Sequence, residues 1–281
     1  MAKAKFGDTI IIKLTCKRED GSVIETPIDH KPRFITIGKG GLIPDLELAL
    51  VGIGPGEKKT ISVPGYKAFA PARKDLSVGN VFFDIDLLEI VKKSDFAEYF
   101  AKTEGMINLE EARLLYELAK NTKEDCIVEV GSYRGRSTVA LGLGSLDGHQ
   151  VPVFSIEPHE EFLGILGGVF GPQDRGAFYQ AMIDTSCYLI VRLINLSSEK
   201  VAPNWDRKIG LLWIDGDHSY EGVRRDFDCW LPHLAAGVTI ALDDSTSPRL
   251  GPYMIVDKLL KTGYADKVQI TGKITVLRSR S

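Results

Sequence analysis

Residues 211–245 read LLWIDGDHSYEGVRRDFDCWLPHLAAGVTIALDDS. The apolar run 211–214 closes on Asp215, and residues 220–235 carry Val223, Phe227, Trp230, Leu231 and Leu234 at helical spacing. A second apolar run, 238–242, follows Gly237 and ends in Asp243 and Asp244. Strand, amphipathic helix and strand make a βαβ unit, whose two strands run parallel and finish on the same edge of a sheet. Ligands of open α/β sheets bind outside that edge, so Asp215, Asp217, His218, Asp243 and Asp244 are expected to converge on one site. Carboxylates this close together repel unless a cation stands among them.

The alternation continues on both sides of this unit. Strand patterns at 126–131, 153–157 and 189–196 alternate with helix patterns at 137–144 and 174–185, which predicts an α/β domain with a mostly parallel sheet. Residues 268–271 and 274–278 flank Gly272 and Lys273 as a terminal hairpin, so one strand is expected to run antiparallel. Between the first strand and helix lies EVGSYRGRS, 129–137, where Gly131 and Gly135 let the backbone pass close to a bound ligand. Glu157 ends the next strand, at a place where a carboxylate can accept both hydroxyls of a ribose. The spacing is ExGxxxG, not the GxGxxG expected of a nicotinamide dehydrogenase.

Residues 8–91 have a different grain. Short alternating runs at 9–15, 33–37, 58–63 and 81–90 read as strands, EDGS at 19–22 as a hairpin-type turn, and IPDLELALV at 43–51 as the one helix. This predicts an α+β domain in which a short helix packs on an antiparallel sheet. The junction 93–108 holds a short helix at 94–101, and Asn108 with Glu111 forms a capping box for a helix reaching Lys120. The domains are therefore drawn as 1–92 and 109–281.

A chain of 281 residues exceeds one small domain, and a net charge of −3 gives no electrostatic footing for nucleic acid or an anionic membrane. The start, MAKAKFGD, has no apolar signal core, and no run approaches the ~18 apolar residues of a membrane span. The expectation is a cytoplasmic protein with small-molecule or protein partners and an open oligomeric state. Cys16, Cys126, Cys187 and Cys229 show no CxxC pairing and read as reduced, buried thiols.

Two resemblances follow from these stretches. DTIIIKLTCKREDGSVIETP, KPRFITIGKGGLIPDLELALVGIGPGEKKTISVP, AFAP and VFFDIDLLEI resemble the FKBP-type peptidyl-prolyl isomerases across nearly all of the first domain. The resemblance implies a pocket of Ile24, Glu25, Leu42, Ile43, Leu46, Phe69 and Phe83, in which an apolar cleft favours the twisted, less conjugated amide. It also implies a proline-containing peptide or protein client. Leu46 stands where the best-known members have an indole, Phe69 where they have a phenol, and the loop between Phe69 and Phe83 is short and charged. Weak isomerase and non-catalytic docking or dimerisation module are both open.

ExGxxxG with WIDGDHSYEGV and the terminal hairpin is similar to the class I S-adenosylmethionine-dependent methyltransferases, Rossmann-like folds with a mostly parallel seven-stranded sheet. The branch indicated includes O-methyltransferases of small molecules and macrolide sugars. The resemblance implies cofactor contacts at Glu129, Gly131, Ser132, Gly135, Ser137, Glu157 and Asp215. It implies Mg²⁺ or another divalent cation on Asp215, Asp243 and Asp244, where oxygen ligands suit that ion, and His218 as general base towards a hydroxyl of a small-molecule acceptor. Asp217 reads as a turn residue, and His30, His149, His159 and His233 as surface or structural. Residues 167–178, GGVFGPQDRGAF, read either as a lid over cofactor and substrate or as an ordinary loop. Two alternatives stay open: a metal-independent methyltransferase, and a protein-binding or chaperone-like module whose second domain binds cofactor without turnover.

Overall fold

Alternation along β1 (Thr9–Arg18) buries Ile10, Ile12, Leu14 and Cys16 on one face, which is what a half-buried antiparallel strand requires. The computed structural model describes residues 3–24, 32–69, 79–91 and 96–280, and the chain divides into two compact units, Met1–Lys93 and Ser94–Ser281. In the first, β2 (Arg33–Thr36), α1 (Pro44–Leu50), β3 (Lys58–Pro64), the short α2 (Gly65–Ala68) and β4 (Asn80–Val91) complete an antiparallel sheet of order β2-β1-β4-β3. The turn at 19–22 closes as expected, with Arg18 N–H donating to Ser22 O at 2.8 Å. Pro44 starts α1 where its missing N–H costs nothing, and Leu46 and Leu50 bury its inner face against the sheet.

The second unit begins with α3 (Phe96–Lys102) and α4 (Leu109–Asn121). The predicted capping box is formed: Glu111 N–H donates to Asn108 Oδ1 at 3.0 Å and Asn108 N–H to Glu111 Oε2 at 2.8 Å. Then come β5 (Cys126–Val130), α5 (Arg136–Asp147), β6 (Val153–Ile156), a small hairpin β7 (Phe162–Leu163) and β8 (Val169–Phe170), α6 (Asp174–Asp184), β9 (Val191–Ile194) and α7 (Ser198–Val201). Last are β10 (Ile209–Ile214), α8 (Tyr220–Trp230), β11 (Leu234–Leu242), α9 (Gly251–Lys261), β12 (Ala265–Thr271) and β13 (Ile274–Ser279). The sheet order is β12-β13-β11-β10-β5-β6-β9, and β13 runs antiparallel to both of its neighbours.

Side chains alternate across this sheet into two cores. Leu211 and Trp213 of β10 join a layer with Leu115, Leu141 and Phe178, whereas Leu212 and Ile214 join one with Phe227, Trp230 and Ile255. Helices therefore cover both faces, the arrangement that lets parallel strands be apolar throughout. The helix expected over 220–235 stops at Trp230, because Pro232 cannot continue the hydrogen-bond ladder; a single 3₁₀ turn, Leu231–His233, leads into a strand that starts four residues earlier than its apolar run suggests. Among the described residues no helix is long and apolar enough to cross a membrane. None of the four cysteines is in a disulfide; burial pushes Cys126 and Cys187 up to about 12, so neither is a reactive thiolate.

Candidate active site

Val130 pairs level with Ile156 and Ile214, and Ile214 with Leu242. The next residues, Glu157, Gly131, Asp215 and Asp243, thus leave the sheet on one edge, as the strand-end reading requires. The ladder runs one step further, with Asp215 N–H donating to Val130 O at 2.8 Å and Asp243 N–H to Ile214 O at 3.0 Å. A cavity of about 590 Å³ lies over this edge.

At one end of the cavity is the glycine loop. Gly131 has φ +83°, and a Cβ there would stand 2.2 Å from the Asp215 carbonyl oxygen, so its bareness serves the approach of two strand ends. Gly135 has φ +94° and faces Phe178 and Met182, with Cβ distances of 3.2 and 3.3 Å; it does not line the cavity. Gly131 thus serves the protein's own packing as well as the cavity it lines, while the space beside Gly135 is taken by Phe178 and Met182. Glu129 also serves the protein's own packing. It is fully buried, accepts hydrogen bonds from Ser137 Oγ and Thr138 Oγ1 at 2.6 Å each, and ties the first turn of α5 to β5. Burial, opposed by those hydroxyls, pushes its carboxyl up to about 7. Gly131, Ser132, Ser137, Glu157 and Asp215 do line the cavity. Glu157 holds the loop by its backbone, accepting from Ser132 N–H at 3.1 Å, Tyr133 N–H at 3.3 Å and His159 N–H at 3.0 Å.

At the other end the acids gather. His218 places Nε2 3.4 Å from Asp215 Oδ1 and Nδ1 3.7 Å from Asp244 Oδ2. One ligand atom from each of Asp215, His218 and Asp243 lies within 4.8 Å of the other two, a cluster able to hold a metal ion. Asp243 Oδ1 and His218 Nε2, on two of these residues, are buried without a hydrogen-bond partner, which is how atoms meant for another ligand look. Asp244 sits in the left-handed region at φ +46°, outside that cluster. Asp217 is a turn residue, accepting from Ser219 N–H at 2.9 Å and Ser219 Oγ at 2.8 Å.

The cation that the acids demand has a protein source which the sequence reading missed. Lys273 Nζ lies 2.5 Å from Asp243 Oδ2 and 3.5 Å from Asp244 Oδ2. Burial works against its charge, but the Asp243, Asp215 and Asp244 carboxylates outweigh burial and hold the ammonium above its usual range. Asp215 and Asp243 are raised well above ordinary carboxylates, first by burial; Lys273 opposes the rise in both, a hydrogen bond with Asp243 opposes it in Asp215, and the charge of Asp244 adds to it in both.

Residues 128–245 match a family described as Methyltransferase domain, and residues 1–88 match FKBP-type peptidyl-prolyl cis-trans isomerase. The chain thus carries an FKBP-type stretch in its first unit and a methyltransferase-domain stretch in its second. The methyltransferase fold is shared with an SAH-bound methyltransferase from Podospora anserina, 16% identical over 67% of this chain and 89% of that one, with a TM-score of 0.51. An O-methyltransferase from Streptomyces achromogenes involved in tomaymycin synthesis, solved with SAM, is 15% identical over 68% and 92%, with a TM-score of 0.50. The FKBP-type domain aligns with the bovine (Bos taurus) peptidyl-prolyl cis-trans isomerase FKBP11 at 28% identity, over 35% of this chain and 48% of that protein. With FK506-binding protein 4 of Aspergillus oryzae identity is 33%, over 31% and 19%. The chain thus spans about half or less of these curated relatives.

Within the FKBP-type domain Ile24, Leu46 and Phe83 are core side chains, and Leu42, Ile43 and Phe69 pack against them half-buried; Glu25 and the loop 70–78 lie outside the described residues, as does His30. Glu47, which the sequence did not single out, is buried and accepts from Gly38 N–H at 3.0 Å and Leu42 N–H at 3.3 Å, fixing the turn ahead of α1. In the methyltransferase domain the cavity has further walls that escaped the sequence reading. Phe162, Ile165, Leu166 and Phe170 of the β7–β8 hairpin line it, so this wall begins before the stretch 167–178 that the sequence singled out. Asp226 lines it from α8, with burial pushing its carboxyl up to about 6 against a hydrogen bond from Ser198. His159 is buried, its ring between Tyr133 O and Asn195 Nδ2 at 3.0 Å each, a structural role; His149 is exposed and His233 stacks near Trp230.

Proposed function

We propose that this chain is an S-adenosylmethionine-dependent O-methyltransferase acting on a hydroxyl of a small molecule, assisted by a divalent cation and by His218 as general base. The observation that carries this reading is the single cavity joining Glu157 and the Gly131 loop to Asp215, His218, Asp243 and Asp244. S-adenosylmethionine, when bound, supplies the methyl group; Glu157 would take its ribose hydroxyls, and Ser132, whose buried Oγ has no partner, would meet it beside Gly131. Asp215 and Asp243, with Asp244 next in the chain, are the residues to hold a divalent ion, whose Lewis acidity lowers the pKa of an acceptor hydroxyl. A set of carboxylate oxygens fits such an ion, and the unpartnered Asp243 Oδ1 fits it too. His218, lining the cavity, would receive the proton that the acceptor oxygen loses. The hairpin wall of Phe162, Ile165, Leu166 and Phe170 favours an acceptor with an apolar body, and closes water out.

The test is methyl transfer from labelled S-adenosylmethionine to a panel of phenols and sugar alcohols, with and without EDTA. Full activity in EDTA on a competent acceptor removes the metal from this reading and leaves its metal-independent form. Glu157→Ala is expected to weaken S-adenosylmethionine at least tenfold, since two charge-assisted hydrogen bonds of roughly 1.5–3 kcal/mol each are lost. Unchanged affinity by calorimetry in a folded variant would place the ribose elsewhere.

For the FKBP-type domain we infer binding of proline-containing peptides with slow isomerisation. Leu46 and Phe69 offer neither indole nor phenol to a substrate, so only enclosure remains to favour the twisted amide. A peptide-isomerisation assay on the full chain is expected to show rates far below those of fast isomerases, and a fast rate would show that enclosure suffices.

A further inference from the structure

The backbone of Lys273 is pinned from three sides. Its N–H donates to Glu111 Oε1 at 3.0 Å, and its carbonyl accepts from Ser245 N–H at 3.0 Å and Ser245 Oγ at 3.2 Å. Glu111 is the buried carboxylate of the α4 capping box, and Gly272 must be bare because a Cβ would stand 2.2 Å from Glu111 Oε1. Ser245 directly follows Asp243 and Asp244. The β12–β13 turn is thereby fastened to the strand end that bears the acids, and the flexible part of Lys273 is its four-carbon stem, which lines the cavity.

A divalent ion on Asp215 and Asp243 would share the Asp243 carboxylate with the Lys273 ammonium, which lies 2.5 Å from Asp243 Oδ2. Two cations at that range repel strongly in a site screened from water. The stem can swing into the cavity, whereas the carboxylates are fixed by β10 and β11. Resting on the metal-assisted reading above, we propose that Lys273 is a tethered counter-cation that occupies the acidic pole without metal and is displaced when a divalent ion binds. Lys273 then sets how tightly the ion is held, and holds the Asp243 carboxylate in place in its absence.

The experiment is Mn²⁺ binding to the full chain by calorimetry and electron paramagnetic resonance, with S-adenosylmethionine affinity measured alongside to show that each variant is folded. Lys273→Met and Lys273→Gln are expected to bind Mn²⁺ at least tenfold more tightly than the wild type, and Lys273→Arg no more tightly. In the wild type, acylation of the Lys273 amine, followed by mass spectrometry, is expected to rise when Mn²⁺ is added. Equal or weaker Mn²⁺ binding by the Met and Gln variants, or Lys273 labelling indifferent to Mn²⁺, overturns the displacement while leaving a metal site in place. No Mn²⁺ binding by any variant overturns both the displacement and the metal-assisted reading.

Discussion

His218→Ala is expected to lower methyl-transfer turnover by ~10²–10⁴-fold, the range for a lost acid–base group, while S-adenosylmethionine binds as before. The expectation is specific to the side chain because the backbone at this point is held independently. His218 O accepts from Gly251 N–H at 2.9 Å, and Gly251 is so close that a Cβ would stand 2.4 Å from Ser219 O. Truncation leaves the loop fastened to α9. The imidazole has two conceivable duties, as proton acceptor and as ligand, and they separate by measurement. A lost base lowers kcat and leaves the Mn²⁺ dissociation constant alone, whereas a lost ligand weakens Mn²⁺ and is mended in part by raising its concentration. We expect the first pattern to dominate. Wild-type turnover with a competent acceptor would remove His218 from the chemistry altogether.

The site was legible in the sequence as far as strand ends are. Asp215, Asp243 and Glu157 each follow an apolar run, and a parallel sheet must bring such residues to one edge, as the Val130, Ile214 and Leu242 register shows. Lys273 was not legible, because a Gly-Lys pair between two short strands reads as a turn whatever lies beneath it. Only the pairing of β13 with β11, in which Thr275 sits opposite Leu242, carries that turn to Asp243. The link from Glu129 to α5 was not legible for a related reason: a carboxylate beside a glycine loop looks like a ligand contact, but inward-facing positions of a strand can equally turn a polar side chain onto the next helix, as Ser137 and Thr138 show. The overlong α8 came from trusting period over chemistry, since Leu231 and Leu234 keep the spacing while Pro232 ends the ladder. α9 went unnoticed because it opens on Gly251 and Pro252 with no side-chain cap to announce it.

Gly131→Ala is expected to cost the methyltransferase domain roughly 3–5 kcal/mol, in the range of mutations that force a clash at a special backbone angle. Two effects add. A residue with a Cβ held at φ +83° is strained by roughly 1–2 kcal/mol. The Cβ also meets the Asp215 carbonyl oxygen at 2.2 Å, its carbon at 2.6 Å and Gly216 Cα at 2.8 Å, all backbone atoms with no rotamer to yield. Relief requires β5 and β10 to part where Asp215 N–H donates to Val130 O, which moves Asp215 and the glycine loop together. The melting temperature should fall by roughly 6–20 °C at ~2–4 °C per kcal/mol, and S-adenosylmethionine affinity should drop with it. Gly237→Ala is the control, because Gly237 has φ +67° with nothing within 4 Å of a built Cβ, and should lose only the strain. Calorimetric melting of the two variants side by side decides the matter. If Gly131→Ala melts with Gly237→Ala and binds cofactor normally, the two strand ends are not locked, and the level edge on which the whole site depends is softer than its geometry implies.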